Sequence, residues 1–510
     1  MSNSYLQGLS QETLAKAYEL IGQAHAGNPL AKVGIDLATG LTGYNLDEPA
    51  KLLASFQEGF TYGIPSVSKP GGAANWKRIT GVSRGRLAVA EGVAGNQITL
   101  VTDAKAVTYK SLSLGGRVTW ESEQASKNYE NARNRSETLT LLAFLQDRAR
   151  MILGGNITVL TDPTAATPLK TVTTGGAIGT GTYKAQVSGL TAEGYAQFTN
   201  LARTPGGSNY DIDPLGSVAP NVALPAPAFV SGATAVPTIG CGPGTLSAAS
   251  AAGAGSTNKL VLTWTAVPNA VAYIVWVDNG AGGALTCQCI LPAQTKVQFL
   301  SLRTGAGTIT APASATDAGS ASAVDFDGIL PQLHAAGSGA YIKNLNATLS
   351  AASGIQIPEL RDAMQAIWDK VRGIEVDRIL TGPVEASSID KILSSVTSDR
   401  IHVVYTPGSD GPKFEKTKYY PSPITGKQIP IEINADLPGG IILGLKDSVD
   451  LPDSSIPAAW AMQQGSAMMR IDYALTRAGG PNMEHEVRSF EALAGYAPIM
   501  QFAFYNVHPS

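Results

Sequence analysis

Apolar positions recur with helical spacing in two places along the chain. Over residues 122–153, Leu142, Leu145, Ala149, Ile152 and Leu153 fall at i, i+3, i+7, i+10 and i+11, the spacing of one buried stripe. Glu, Gln, Asn and Arg occupy the other face, and Gly154-Gly155 supplies a C-terminal stop. At ~1.5 Å per residue such a helix spans on the order of 45 Å. A second stripe, Leu360, Met364, Ile367 and Val371, predicts a helix over 357–372 with Pro358 in its first turn. Alternating, strand-like runs lie at 76–82, 86–91, 98–102 and 106–112, broken by Gly85, Gly92 and Gly95-Asn96. They predict a long two-faced hairpin over 71–121. Residues 374–382 and 401–405 read as buried strands, and 490–506 ends in an alternating one.

The first 70 residues read as an extended arm. A short Ser-capped amphipathic helix over 10–21 is stopped by Gly27, Asn28 and Pro29, and Gly- and Pro-broken pieces follow. Such a segment buries little of its own surface and needs a neighbour to order it.

Composition adds a boundary. Residues 156–323 hold 12 charged residues in 168, whereas the other 342 hold 65 of the chain's 77. The low-charge stretch is rich in Gly, Ala, Thr, Ser and Pro, with short strands at 180–195, 260–276 and 296–302. These features predict a small antiparallel sandwich inserted into an α+β host. The Trp264 strand and the Tyr273-Ile-Val-Trp276 run resemble a fibronectin type III or related immunoglobulin-like domain.

Net charge is −3, which excludes the polycationic signature of direct nucleic-acid binding. No apolar run reaches the ~18 residues of a membrane-spanning helix. The start of the chain lacks the basic and apolar regions of a signal peptide. The three cysteines, Cys241, Cys287 and Cys289, are too few for a disulfide framework and read as free buried thiols. In a regular strand Cys287 and Cys289 face the same side.

Candidate chemistry is thin. There is no Gly-x-Ser-x-Gly, P-loop, His-Glu-x-x-His or Rossmann fingerprint. The five histidines are scattered. Glu484-His485-Glu486 reads as charged solvated surface, as do Lys413, Lys416, Lys418 and Lys427 in a loop over 406–427. Asp450 and Asp453 read as turn residues. Asn209-Tyr-Asp-Ile-Asp213 alternates oxygen ligands but lacks the Gly and Glu of a calcium loop. No enzyme, cofactor or metal is expected.

With 156–323 set aside, the order of elements resembles the major capsid protein of tailed bacteriophages, the Hong Kong 97 type. An arm (1–70) precedes an E-loop hairpin (71–121). A spine helix (122–155) then ends in Met151-Ile-Leu-Gly-Gly-Asn156. Asp327-Gly-Ile-Leu330 resembles the start of that family's axial domain, and Leu437-Pro-Gly-Gly-Ile-Ile-Leu-Gly-Leu445 its late strand-turn-strand. The 490–506 segment, with Tyr496-Ala-Pro-Ile499, resembles the closing peripheral strand. Residues 324–510 then hold the axial domain and the rest of the peripheral domain. Some relatives crosslink subunits through a Lys–Asn bond assisted by a Glu. Lys77, Lys105, Lys110, Asn482 and Glu484 are the residues here with that chemistry, but the expectation is a shell without the bond.

The resemblance implies a structural subunit that self-assembles, as pentamers and hexamers, into the icosahedral head of a double-stranded DNA phage. Its implied partners are copies of itself, portal or decoration proteins, and packaged DNA held without sequence-specific contact. No membrane is involved, and the implied location is the virion, assembled in the host cytoplasm. Leu52, Phe56, Phe60, Trp76 and Tyr109 are the candidate contacts between subunits. The rival readings are an encapsulin-like nanocompartment shell and a secreted carbohydrate-binding or adhesive protein.

Overall fold

The computed structural model describes residues 64–508 except 70, 83–90, 92, 94–99, 127–131, 164–168, 197–239, 249, 252–254, 279, 281–284, 293, 303–324, 351–355, 372, 396–402, 405–412, 415–418, 435, 450–457 and 478–479. Residues 1–63 of the expected arm, including Leu52, Phe56 and Phe60, lie outside the described residues, as do the 209–213 loop, Asp450 and Asp453.

The first described elements are β1 (Ser66–Ser68), β2 (Ala73–Val82), β3 (Leu100–Thr108), β4 (Lys110–Thr119), α1 (Trp120–Ser126) and α2 (Ala132–Gly154). Next come β5 (Leu169–Val172), β6 (Thr182–Tyr183), β7 (Ala185–Leu190), β8 (Ser250–Ala251), β9 (Lys259–Thr263), β10 (Ala272–Val277), β11 (Thr286–Pro292) and β12 (Lys296–Phe299). They are followed by α3 (Ile329–His334), β13 (Tyr341–Thr348), α4 (Pro358–Lys370), β14 (Arg378–Thr381) and α5 (Pro383–Ser395). The remaining strands are β15 (Val403–Val404), β16 (Lys413–Phe414), β17 (Tyr419–Pro421), β18 (Gln428–Ile433), β19 (Ile442–Leu445), β20 (Trp460–Arg477), β21 (Gly480–Gly495) and β22 (Phe502–His508).

The chain divides into two compact units. Of the described residues, the smaller takes those within Gly115–Leu141 and Ile471–Glu486, and the larger takes the rest. In the smaller unit, His485 is buried and its Nε2 lies 3.1 Å from the Thr140 hydroxyl. That corrects the reading of 484–486 as solvated surface. Gly116 allows the contact, because a Cβ there would meet the imidazole at 2.3 Å.

In the larger unit, a six-stranded mixed sheet runs in the order β13-β22-β19-β14-β18-β17. Strand β22 lies parallel to β13 and antiparallel to β19. Its residues alternate between two cores: Phe502 and Phe504 join α4 and α5 residues such as Met364 and Ile389, while Ala503 and Tyr505 join Phe326 and Leu330. The alternation expected of this strand is therefore apolar on both sides, as a central strand requires. Helix α4 is close to expectation: Pro358 is at its first position and Leu360, Ala363, Met364 and Ile367 are buried.

Helix α2 follows the expected stripe toward its C-terminal end and buries one further residue, Phe144. Phe144, Ala149, Ile152 and Leu153 are buried, whereas Leu142 and Leu145 are only half-buried. Leu145, seven positions before Ile152, packs against the same core from its half-buried position, and Phe144 is buried on an adjoining face. The 23 residues of α2 span about 34 Å.

The middle segment forms two three-stranded sheets, β11-β10-β7 and β12-β9-β5. They enclose a core of Val187, Leu260, Leu262, Tyr273, Val275, Leu291 and Val297 among others. Trp264 packs on Tyr273 with ring centroids 5.4 Å apart. Burial pushes the Tyr273 hydroxyl up to about 12, and that hydroxyl accepts the Val267 N–H at 2.7 Å. The segment does not stand apart, however. The opposite face of β7, β10 and β11, carrying Leu190, Ala272, Ile274, Trp276 and Ile290, belongs to the same core as Ile152, Leu153, Phe326, Ile329 and Leu330. The segment therefore has one core of its own and a second that it shares with the elements on either side of it.

Cys287 and Cys289 do not share a side. Val275 pairs with Cys289 and Trp276 with Cys287, so Gln288 is the extra residue of a β-bulge. The bulge turns Cys289 into the inner core and Cys287 toward that of Trp276. Cys241 and Cys289 are buried and Cys287 is half-buried.

Candidate assembly site

The hairpin of β2 and β3 is antiparallel, with Trp76 opposite Lys105 and Ala73 opposite Thr108. Its root is fixed to the closing segment of the same unit. The Trp76 indole N–H donates to the Gly495 carbonyl at 2.9 Å, and the Ile79 N–H to that of Tyr496 at 2.7 Å. The Arg78 guanidinium reaches both Asp103 (3.1 Å) and the Ala336 carbonyl (2.7 Å). Tyr109 packs on Phe490 at 5.3 Å and donates to the Lys69 carbonyl at 3.2 Å.

Trp76 and Tyr109 thus lie in a small core with Ala74, Ala492 and Ala494. Within this chain both rings are buried and their polar atoms are satisfied. The pattern of alternation located them, but it could not say which partner covers them. Farther along the hairpin the surface opens. Val101 is 50% exposed and Val93 is 61% exposed. Met468 and Met469, consecutive on β20, are also exposed.

A second constellation surrounds Asp327, just beyond the middle segment. Its carboxylate accepts the Ile157 N–H (2.9 Å), the Thr158 hydroxyl (3.1 Å) and the Asn269 side-chain amide (3.0 Å). Its backbone carbonyl takes the Gln332 amide at 2.7 Å. The Gly328 N–H donates to the Gly155 carbonyl at 2.8 Å. A Cβ on Gly155 would meet the Phe326 carbonyl oxygen at 2.6 Å, and one on Gly328 the Met151 oxygen at 2.7 Å. The Gly-rich stop of α2 is therefore a place where two backbones cross without side chains between them.

Sequence reading missed two charged groups. Glu491 is fully buried and receives Arg148 of α2 in a two-pronged pair (2.6 and 3.0 Å), with Gln464 at 3.1 Å. The only sequence signal was the position of Arg148, four residues after Phe144 on the buried face. Asp377 holds Lys427 (2.8 Å) and Lys446 (2.9 Å) and accepts the Asp447 N–H (3.0 Å). Burial works to raise its carboxyl, but these donors outweigh it and hold it at about 2. Lys427 is thereby tied down, while its expected companions Lys416 and Lys418 lie outside the described residues.

Lys77 is exposed, Lys105 pairs with Asp103 at 2.9 Å and Lys110 is half-buried. Among the described residues, no group of three or more His, Cys, Asp or Glu is placed to hold a metal ion, and no helix is long and apolar enough to cross a membrane.

No known family profile matches the sequence, and no curated protein does. The fold is similar to solved shell proteins. The cyanophage A-1(L) capsid is 9% identical with a TM-score of 0.40, covering 92% of this chain and 98% of that one. The capsid of Myoviridae phage XM1 is 9% identical with a TM-score of 0.37, covering 91% and 97%. A native gene transfer agent capsid is 7% identical with a TM-score of 0.37, covering 93% and 99%. At such scores the likeness carries no argument of its own, and any functional reading rests on the chain's own elements.

Proposed function

We propose that the chain is the shell-forming subunit of a tailed-phage type head, a structural protein with no catalytic role. The observation that carries the reading is the order and form of its elements. A long two-stranded hairpin leads through β4 into α2, which ends at the Gly155–Asp327 crossing. The β20–β21 ribbon and β22 follow late in the chain. A two-stranded ribbon is marginal by itself in water, and the exposed Val93 and Val101 lie beyond the part fixed by Trp76 and Ile79. That stretch gains cover when copies pack side by side. Leu52, Phe56 and Phe60 are the arm residues assigned to the same contacts, and the two-sheet middle segment is read as an immunoglobulin-like element. Portal or decoration proteins and packaged DNA are the further partners, and the virion is the location.

Electron microscopy of the purified, concentrated protein tests this. Closed shells of phage-head size support it. Small shells indicate a nanocompartment, and monomers at every concentration overturn it.

A further inference from the structure

We propose that His334 is an acid-sensitive latch between the middle segment and the mixed-sheet core. His334 ends α3, and its backbone carbonyl accepts the Asn269 N–H at 3.4 Å from the turn between β9 and β10. Asn269 sits at φ 66°, so that turn is held in a left-handed conformation. On the other side, the imidazole Nε2 lies 2.8 Å from the Tyr505 hydroxyl on β22. Tyr505 meets Tyr195 of the middle segment edge-on at 6.1 Å, and the Tyr195 hydroxyl donates to Asn506 at 3.3 Å. One imidazole and its backbone therefore bridge both sides of the seam.

The groups around it leave a proton there uncompensated. Tyr505 faces it from β22, and Tyr195 stands behind Tyr505. From the hairpin, Arg78 binds the Ala336 carbonyl and pairs with Asp103; from α4, Lys370 binds the Gly339 carbonyl at 2.8 Å. Both cations thus sit on the loop that follows His334. The carboxylate at the other end of α3, Asp327, already holds three donors.

The neutral ring, protonated on Nδ1, accepts the Tyr505 hydroxyl hydrogen at Nε2. When a solvent proton binds Nε2, ring and hydroxyl present hydrogens to each other. The hydroxyl must then turn away, and a charge appears in the seam. Burial holds this imidazole far below its ordinary value, at about 3. The sign follows. A depressed folded value means the seam is fully closed above the ordinary histidine range near pH ~6.5, and it loosens as pH falls from there toward about 3.

Hydrogen exchange on the full chain, corrected for the intrinsic pH dependence of exchange, reads the latch. Between about pH 7 and about pH 4.5, amides of β7 and β10 should lose protection by about 10-fold, while those of β14 and β19 keep theirs. His334→Gln, which keeps a hydrogen-bonding group that does not titrate, should abolish the difference. Tyr505→Phe, which removes the hydroxyl that the neutral ring accepts, should raise the pH at which folded His334 titrates and shrink the loss of protection. If both variants misfold, selective carbon-13 labelling of histidines in the unaltered protein decides: His334 should titrate well below the ordinary histidine range. Equal loss of protection in His334→Gln, uniform loss across all strands, or ordinary titration of His334 overturns the proposal.

Discussion

Asp327 accepts the backbone N–H of Ile157 at 2.9 Å across 170 residues of sequence, so the two ends of the middle segment meet at one carboxylate. Replacing it leaves the Ile157 N–H and the Asn269 amide short of an acceptor. Asp327→Ala should cost about 1–3 kcal/mol, the usual range for stranding buried donors. Asp327→Asn, which keeps an acceptor oxygen, should cost less. Scanning calorimetry of the two variants checks the order.

Because Trp276 and Ile274 share a core with Ile152 and Leu153, removing the middle segment should uncover that core instead of leaving a tidy host. A chain in which a Gly/Ser linker replaces residues 157–323 should be insoluble or lack near-ultraviolet circular dichroism. A soluble, cooperatively melting product would show that the shared cluster contributes little.

Much of the architecture was legible in the pattern. The spacing of Leu360, Met364 and Ile367 located α4 because an amphipathic stripe has one stable way to bury itself. The hairpin and the sandwich strands were legible for the same reason. Other features could not be read. Phe144 and Leu145 are neighbours of similar hydrophobicity, and tertiary packing decides which of them is buried more deeply. Trp76 and Tyr109 announced burial without naming the cover. The bulge at Gln288 obeys no local signal, yet it reverses a cysteine. The Arg148–Glu491 pair spans 343 residues, a distance at which periodicity carries no information.

Helix α2 gives a direct comparison. Phe144→Ala should destabilise by about 3–5 kcal/mol, as for a large core side chain, and Leu145→Ala by clearly less. Denaturant titrations of both variants settle which residue is buried more deeply.

The Asp377 cluster predicts an acid limb of stability. Its carboxyl is held at about 2 against an ordinary 3.8, so its contribution is complete above the ordinary value and lost as pH falls through about 2. The shift corresponds to about 2 kcal/mol at most, because the side chain keeps 16% of its surface exposed. Asp377→Asn should lower stability near neutral pH and flatten the melting profile between about pH 4 and about pH 2. An unchanged slope would show that the lysines do not favour the charged form.

Strand β22 lies between β13 and β19, although it follows both along the chain. During synthesis the sheet therefore exists first as a lone strand, β13, and a four-stranded ribbon, with a vacant lane between them. The residues that fill that lane, Phe502–His508, are made after every other strand of the sheet. Until they emerge, the backbone N–H and C=O groups on the facing edges of β13 and β19 have no strand to pair with. The nascent protein must spend that interval guarded from its own copies, which present the same vacant lane and, once released, the same strand to fill it.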